Sequence, residues 1–143
     1  TLFRSNIQYL INDDNKVLAN QYLSVFSKLI RQNMENINND LISLDKEMNL
    51  VENYLQLEKL RFKERLSFSI ELSDEVDISS ILVPPLLIQP LVENAIKHGI
   101  SQRLEKGKIE IKIENKAFLR LYFVVDNILT FIYNYDMINV LFI

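Results

Sequence analysis

Apolar residues recur at three- and four-residue steps through the first 62 positions and at two-residue steps after Leu66, so helices are expected first and strands later. A short helical stretch, Leu2 to Ile11, ends at Asn12-Asp13-Asp14-Asn15, a turn signal that also supplies N-caps. A second helix is predicted from about Lys16 to Ile37. Leu18, Tyr22, Val25 and Leu29 mark one line of it, and Phe26, Ile30, Met34 and Ile37 another. That stripe is wide enough to pack on more than one neighbour. Its Leu18, Tyr22, Val25 and Leu29 line, with Leu44, Met48, Val51 and Leu55 of the helix that follows, is expected to join a second copy of the chain. Asn36, Asn38, Asn39 and Asp40 break the pattern. A third helix is predicted from Ser43, as N-cap, to about Phe62. Asp45 and Glu47 complement the dipole at its start, and Lys59, Arg61, Lys63 and Arg65 at its end. Leu44, Met48, Val51 and Leu55 form one stripe on it, and Leu50, Tyr54 and Leu57 an adjacent one.

Leu66 to Leu72 alternates strictly, as a half-buried strand does. Pro84 and Pro85 then open an apolar segment ending at Gly99. Pro85 at a first helical position and Gly99 just past the end fit the Pro-start, Gly-stop asymmetry, and Pro90 must kink or restart the helix between them. Lys108 to Glu114 alternates again with Ile109, Ile111 and Ile113 inward, Asn115-Lys116 makes a turn, and Leu119 to Val125 is a further strand. The expected fold class is α then α+β. Residues 1–62 form the helical part, 66–127 the α/β part, and 128–143 a divergent tail, either a strand or an out-of-frame end.

Composition removes several function classes. The net charge is −3 and no Lys/Arg cluster stands out, which argues against nucleic acid as the main partner. The chain has no cysteine and a single histidine, which excludes disulfides and thiolate or His-rich metal sites. No apolar run is long enough to span a bilayer. Thr1-Leu2-Phe3-Arg4 opens without Met, cap or turn, as though cut from a longer element. Any membrane segment is expected outside this chain.

The chemistry concentrates in Pro84 to Gly99. On a helix, Asn94, Lys97 and His98 are three and four residues apart and share a face, while Leu91, Val92, Ala95 and Ile96 point to a core. An amide oxygen, an ammonium and an imidazole in one stripe suit a phosphate chain with a hard cation, because Mg²⁺ takes oxygen ligands and keeps several waters. A purely structural reading stands beside this. Lys97 and His98 stabilise the last turn of any helix, Glu93 and Lys97 make an i,i+4 pair, and Asn94 caps a neighbouring element.

Leu91-Val92-Glu93-Asn94-Ala95-Ile96-Lys97-His98-Gly99 resembles the N box of histidine kinases, members of the GHKL ATPase superfamily. Pro84-Pro85-Leu86-Leu87-Ile88-Gln89-Pro90 has the form typical of the LytS/YehU type. Tyr54-Leu55-Gln56-Leu57-Glu58-Lys59-Leu60-Arg61-Phe62 resembles that family's "YLxLexxRF" segment. Leu44 with Glu47, and Tyr22-Leu23 with Leu29-Ile30-Arg31, also match its helical region. The resemblance covers about residues 5 to 127, with the motifs in the family's order.

The resemblance implies a helical dimerisation hairpin followed by a truncated GHKL (Bergerat-type) α/β sandwich. It implies ATP and Mg²⁺ as cofactors, with Asn94 ligating Mg²⁺, Lys97 and His98 lining the phosphate site, and Glu93 assisting catalysis. Asp126, with Asn127, sits where the family places the Asp that accepts a hydrogen bond from the adenine amino group; the plain reading of Asp126-Asn127 is a strand-ending turn. The implied partners are a second copy of the chain and a response regulator. The implied location is the cytoplasmic portion of an inner-membrane-anchored bacterial protein.

Two departures follow. The family's phosphorylated His lies in an "NPHFLFNxLNSIQ"-like run, of which Ser5-Asn6-Ile7-Gln8 matches only the tail, and His98 is the only His here, so this chain holds no phosphoacceptor. The family also continues from Asp-Asn into glycines and a glycine-rich lid, whereas Ile128 follows Asn127 and no Gly follows Gly107. A β-branched residue does not take the positive φ a glycine takes there. The chain is therefore read as part of a two-component sensor histidine kinase that is itself inactive. The competing class is a non-catalytic dimerisation module or degraded relic. Another GHKL ATPase, of DNA-repair or chaperone type, fits the helical region less well.

Overall fold

The computed structural model describes Gln8 and residues 15–73, 76–101, 106–114, 118–125 and 128–136, the last two spans by their backbone alone. Apart from Gln8, which is helical, the expected first helix lies outside the described residues, as do Asp126 and Asn127. Helix α1 spans Lys16–Asn36, with Asn15 as N-cap accepting from the Leu18 N–H at 3.1 Å. Strand β1 is Ile42–Ser43 and helix α2 is Leu44–Phe62, capped by Ser43 as its sequence implies. A short 3₁₀ turn, Lys63–Arg65, leads into β2, Leu66–Leu72. Lys63 takes φ 54° to reverse the chain there.

Strand β3, Leu82–Val83, pairs antiparallel with β1, placing Ile42 opposite Val83. The Leu44 and Asp45 N–H groups donate to the carbonyls of Ile81 and Ile78 at 2.7 and 3.1 Å, so the orphan donors at the start of α2 are satisfied by the segment ahead of β3. Helix α3, Gln89–Ala95, continues into a π turn, Ile96–Ile100. Strands β4 (Gly107–Glu114), β5 (Phe118–Val125) and β6 (Ile128–Asp136) follow. The main sheet has the order β2-β4-β5-β6. Strand β2 is parallel to β4, which needs a crossover, and α3 lies within it; the other pairs are antiparallel. The expected α then α+β order is observed. Residues 128–136 form a strand opposite β5, with an irregularity between Phe123 and Val124.

Three sequence expectations need correction. Pro85 does not open a helix: residues 84–88 stay non-helical, Leu86 takes φ 60°, and α3 starts at Gln89. Pro90 therefore falls in the first turn, where its missing N–H is one of the unpaired donors anyway, and it restarts the helix without kinking it. Gly99 does not stop the helix. It is buried inside the π turn, closed by Ser101 N–H to Ile96 O at 2.9 Å, and no glycine has positive φ.

The third correction concerns the helical stripes. Leu44, Met48, Val51 and Leu55 of α2, with Tyr22 and Leu29 of α1, are buried in the chain's own core beside Val83, Ile88, Val92, Ile96 and Ile109. They cannot also bind a second copy. Helix α2 is buried on most sides because α1, α3 and the sheet all pack on it. Helix α1 has only three buried residues and leaves Leu23, Ile30 and Met34 exposed, with Ile37 and Leu41 beyond its end. In the sheet, Ile109, Ile111 and Ile113 point inward as expected. Burial along β2 instead fades from Leu66 to an exposed Leu72, because β2 is an edge strand.

Candidate functional site

The N-terminus of α3 is held by a side chain from α2. The Glu47 carboxylate is fully buried and accepts from three backbone N–H groups: Leu86 at 3.1 Å, Ile88 at 2.9 Å and Gln89 at 3.4 Å. Two effects favour this. The carboxylate satisfies donors that have no partner within the helix, and it sits at the positive end of the helix. One of the donors belongs to Leu86, whose left-handed backbone is unfavourable for a residue with a Cβ. At the far end, Arg65 donates to the Ile100 carbonyl at 2.9 Å and so closes the π turn. The segment is thus fixed at both ends from elsewhere in the fold.

Between these anchors, Asn94, Lys97 and His98 are all exposed, while Val92, Ala95, Ile96, Gly99 and Ile100 are buried. Ala95 is buried as expected; Leu91 is half-buried. The π turn widens the spacing after Ile96, so Lys97 and His98 depart from the regular i+3, i+4 stripe expected for them. Glu93 is half-buried and takes a different side. It accepts from Gln89 Nε2 at 3.1 Å and lines a cleft of about 320 Å³ between α1 and α3 that Asn94 does not line. Among the described residues, no three His, Asp or Glu side chains converge as a metal site.

Behind Glu93 lies a buried polar group. Glu58, on α2, is fully buried, with Arg61 at 3.8 Å. Burial pushes its carboxyl up to about 7; Arg61 opposes the shift and the Glu93 carboxylate adds to it. Burial, together with Glu58, Glu93 and Tyr22, drives the Tyr54 hydroxyl upward too, against Arg61. The Tyr54 hydroxyl, Asn33 Oδ1 and Gln89 Oε1 are buried with no hydrogen-bond partner among the described residues. Each unsatisfied group costs about 1–3 kcal/mol.

A family model for histidine kinases matches residues 4–66. The chain is 34% identical over 113 residues to proteins named sensor histidine kinase/phosphatase LytS from Staphylococcus aureus strains MRSA252 and Mu50. The match covers 79% of this chain and 19% of each relative. Residues 4–66 carry the histidine kinase family pattern. The chain spans about a fifth of the length of the curated relatives it matches.

Sequence reasoning missed three residues that shape the site. Glu47 figures in the sequence as a first-turn dipole partner and as part of the family's helical pattern, yet it caps another helix. Glu58 and Gln89 carried no assignment of their own. A signal existed: Glu47 and Glu58 fall on the same helical line as Leu44, Val51, Tyr54 and Leu55, which is a buried face. Acidic residues on such a face are almost never buried without a partner. Gln89 left no comparable mark, because its burial depends on where the non-helical segment before α3 ends.

Proposed function

We propose that this chain is a segment of a two-component sensor histidine kinase, carrying the front wall of an ATP site on a truncated GHKL-type α/β unit. Its helical part, residues 1–62, corresponds to the region that presents the phosphorylated His, and residues 66–127 to the start of the ATP-binding domain. The observation that carries this reading is the exposure of Asn94, Lys97 and His98 on a segment fixed at one end by Glu47 and at the other by Arg65. An exposed amide oxygen fits Mg²⁺, which needs few protein ligands when phosphates and waters complete its shell. Lys97 and His98 supply donors for phosphate oxygens. Bound Mg²⁺–ATP would supply the phosphoryl group. The chain's part is positioning and charge neutralisation, with Glu93 on the side of α3 that faces the helical hairpin. In the whole protein a histidine accepts the phosphoryl group and passes it to an Asp of a response regulator. The location proposed for the segment is the cytoplasmic side of a membrane-anchored protein; among the described residues no helix is long and apolar enough to cross a membrane.

The only His is His98, so this chain does not autophosphorylate, and without the family's glycines after Asn127 it holds nucleotide weakly. Mg²⁺–ATP calorimetry on this chain is expected to give a Kd in the range of about 0.1 mM or weaker, lost in Asn94→Ala. Low-micromolar binding that Asn94→Ala abolishes would show that the remaining wall suffices. Binding indifferent to Asn94, or none at millimolar ATP, would remove the ATP assignment and leave a dimerisation module as the better reading.

The same proposal places the homodimer on the outer face of α1. Leu23, Ile30 and Ile37 recur every seven residues there, with Met34 beside them, and all four are exposed. Sedimentation is expected to show a dimer that Met34→Asp weakens about tenfold or more without unfolding the chain, since a carboxylate desolvated without a partner is unfavourable. A monomer at high micromolar concentration would rule the face out.

A further inference from the structure

We propose that the cleft between α1 and the start of α3 is a binding site for a small amphiphilic organic cation, such as an alkylammonium. The cleft shares Glu93 with the ATP assignment and Ile30 with the dimer face, but Asn94, Lys97 and His98 do not line it, so loss of nucleotide binding in Asn94→Ala leaves this inference standing. Its apolar wall is formed by Phe26, Leu29 and Ile30 of α1 and by Leu86 and Pro90 opposite them. Its polar lining is Asn33, Gln89 and Glu93.

All three polar residues have an acceptor to offer. Gln89 is 5% exposed, and its Oε1 is buried without a hydrogen-bond partner among the described residues. Its amide cannot simply turn round, because Nε2 already donates to Glu93 Oε1 at 3.1 Å, and the reversed amide would set oxygen against a carboxylate. Asn33 Oδ1, on the facing helix, is likewise buried and unpartnered among the described residues. Glu93 adds a negative charge, and among the described residues no Lys, Arg or His lines the cleft.

A set of acceptors with one carboxylate calls for a positively charged donor, and an ammonium brings three N–H groups. A bare metal ion would leave the apolar wall unused and lack the six or more oxygens that a calcium-sized ion takes. An apolar tail covers that wall, and a cavity of about 320 Å³ is in the range that holds small ligands. An anionic ligand would meet Glu93 directly.

The probe is hexylammonium chloride, titrated into the 143-residue chain near neutral pH and followed by amide chemical shifts, with 1-hexanol and hexanoate as matched neutral and anionic probes. Saturable binding of hexylammonium is expected, centred on the amides of Phe26, Asn33 and Gln89. It should be about tenfold tighter than hexanol, with hexanoate weakest. Glu93→Gln should erase most of the advantage of hexylammonium over hexanol and leave hexanol little changed. Gln89→Met should weaken hexylammonium while the hexyl contacts remain. Hexanol binding as tightly as hexylammonium, a response that never saturates, or shifts centred elsewhere would each overturn the proposal. Should either variant fail to fold, the three-probe series on the unaltered chain decides alone.

Discussion

Replacing Glu47 by Ala is expected to lower the unfolding free energy by about 3 kcal/mol or more, a large share of the roughly 5–15 kcal/mol that holds a small domain together. The substitution leaves three N–H groups, of Leu86, Ile88 and Gln89, without their acceptor. The Ile88 and Gln89 bonds are buried, so water cannot replace the carboxylate there, while Leu86 is exposed and its bond only half-buried. Each stranded donor costs about 1–3 kcal/mol, and a cavity adds to this, while relief from burying a charge subtracts. Leu86 also loses the bond that holds its left-handed backbone, so residues 84–88 should relax and the start of α3 with them. Glu47→Gln separates the contributions. Its amide oxygen still serves Ile88 and Gln89, but its NH₂ group then faces the Leu86 N–H, so an intermediate loss is expected. Urea denaturation of the three proteins tests this. An Ala variant within about 0.5 kcal/mol of the parent would mean that the carboxylate does not hold this segment.

The helices were legible because their signals are local. Asn15 and Ser43 cap the helices that the sequence assigns to them, and the alternation of Ile109, Ile111 and Ile113 gives the inward face of β4. What was illegible depends on tertiary partners. Pro85 and Pro90 both suit a first helical turn, and sequence alone cannot weigh a carboxylate arriving from α2 that accepts from the Leu86, Ile88 and Gln89 N–H groups. That contact selects the later start. Gly99 was misread for a similar reason: the chain ends its helix in a π turn whose last carbonyl is taken by Arg65, thirty-five residues earlier. The stripes of α1 and α2 were seen correctly as apolar, but periodicity does not say whether a face meets its own chain or another copy. The exposure of Asn94, Lys97 and His98 was readable from their place as polar residues on an apolar helix. The cleft beside Glu93 was not, since α1 builds half of it.

Stability is expected to fall as pH rises from about 5 to about 8, by roughly 2–3 kcal/mol, through Glu58 alone. Glu58 is fully buried, and burial moves its carboxyl from an ordinary 4.5 up to about 7. Between those values the folded chain holds a proton that the unfolded chain has released. Where the folded state binds more protons, stability declines with pH, so the contribution is complete below about 4.5 and lost by the time pH has passed about 7. Asp77 and Glu110 are shifted downward by hydrogen bonds, from Ser79 and from Lys108, and they act below that window with the opposite sign. The charges that bear on Glu58 come from two elements: Arg61 on its own helix, which lowers it, and Glu93 on α3, which raises it. Glu58→Gln should therefore abolish the decline between pH 5 and 8 in urea titrations, leaving the variant the more stable protein at the upper end. Glu93→Gln should remove one of the two upward pushes and make the decline shallower. An unchanged decline in Glu58→Gln would show that this carboxyl ionises at its ordinary value. If Glu58→Gln flattens the decline while Glu93→Gln leaves it untouched, burial alone holds the proton, and the two carboxylates do not communicate across the α2–α3 contact.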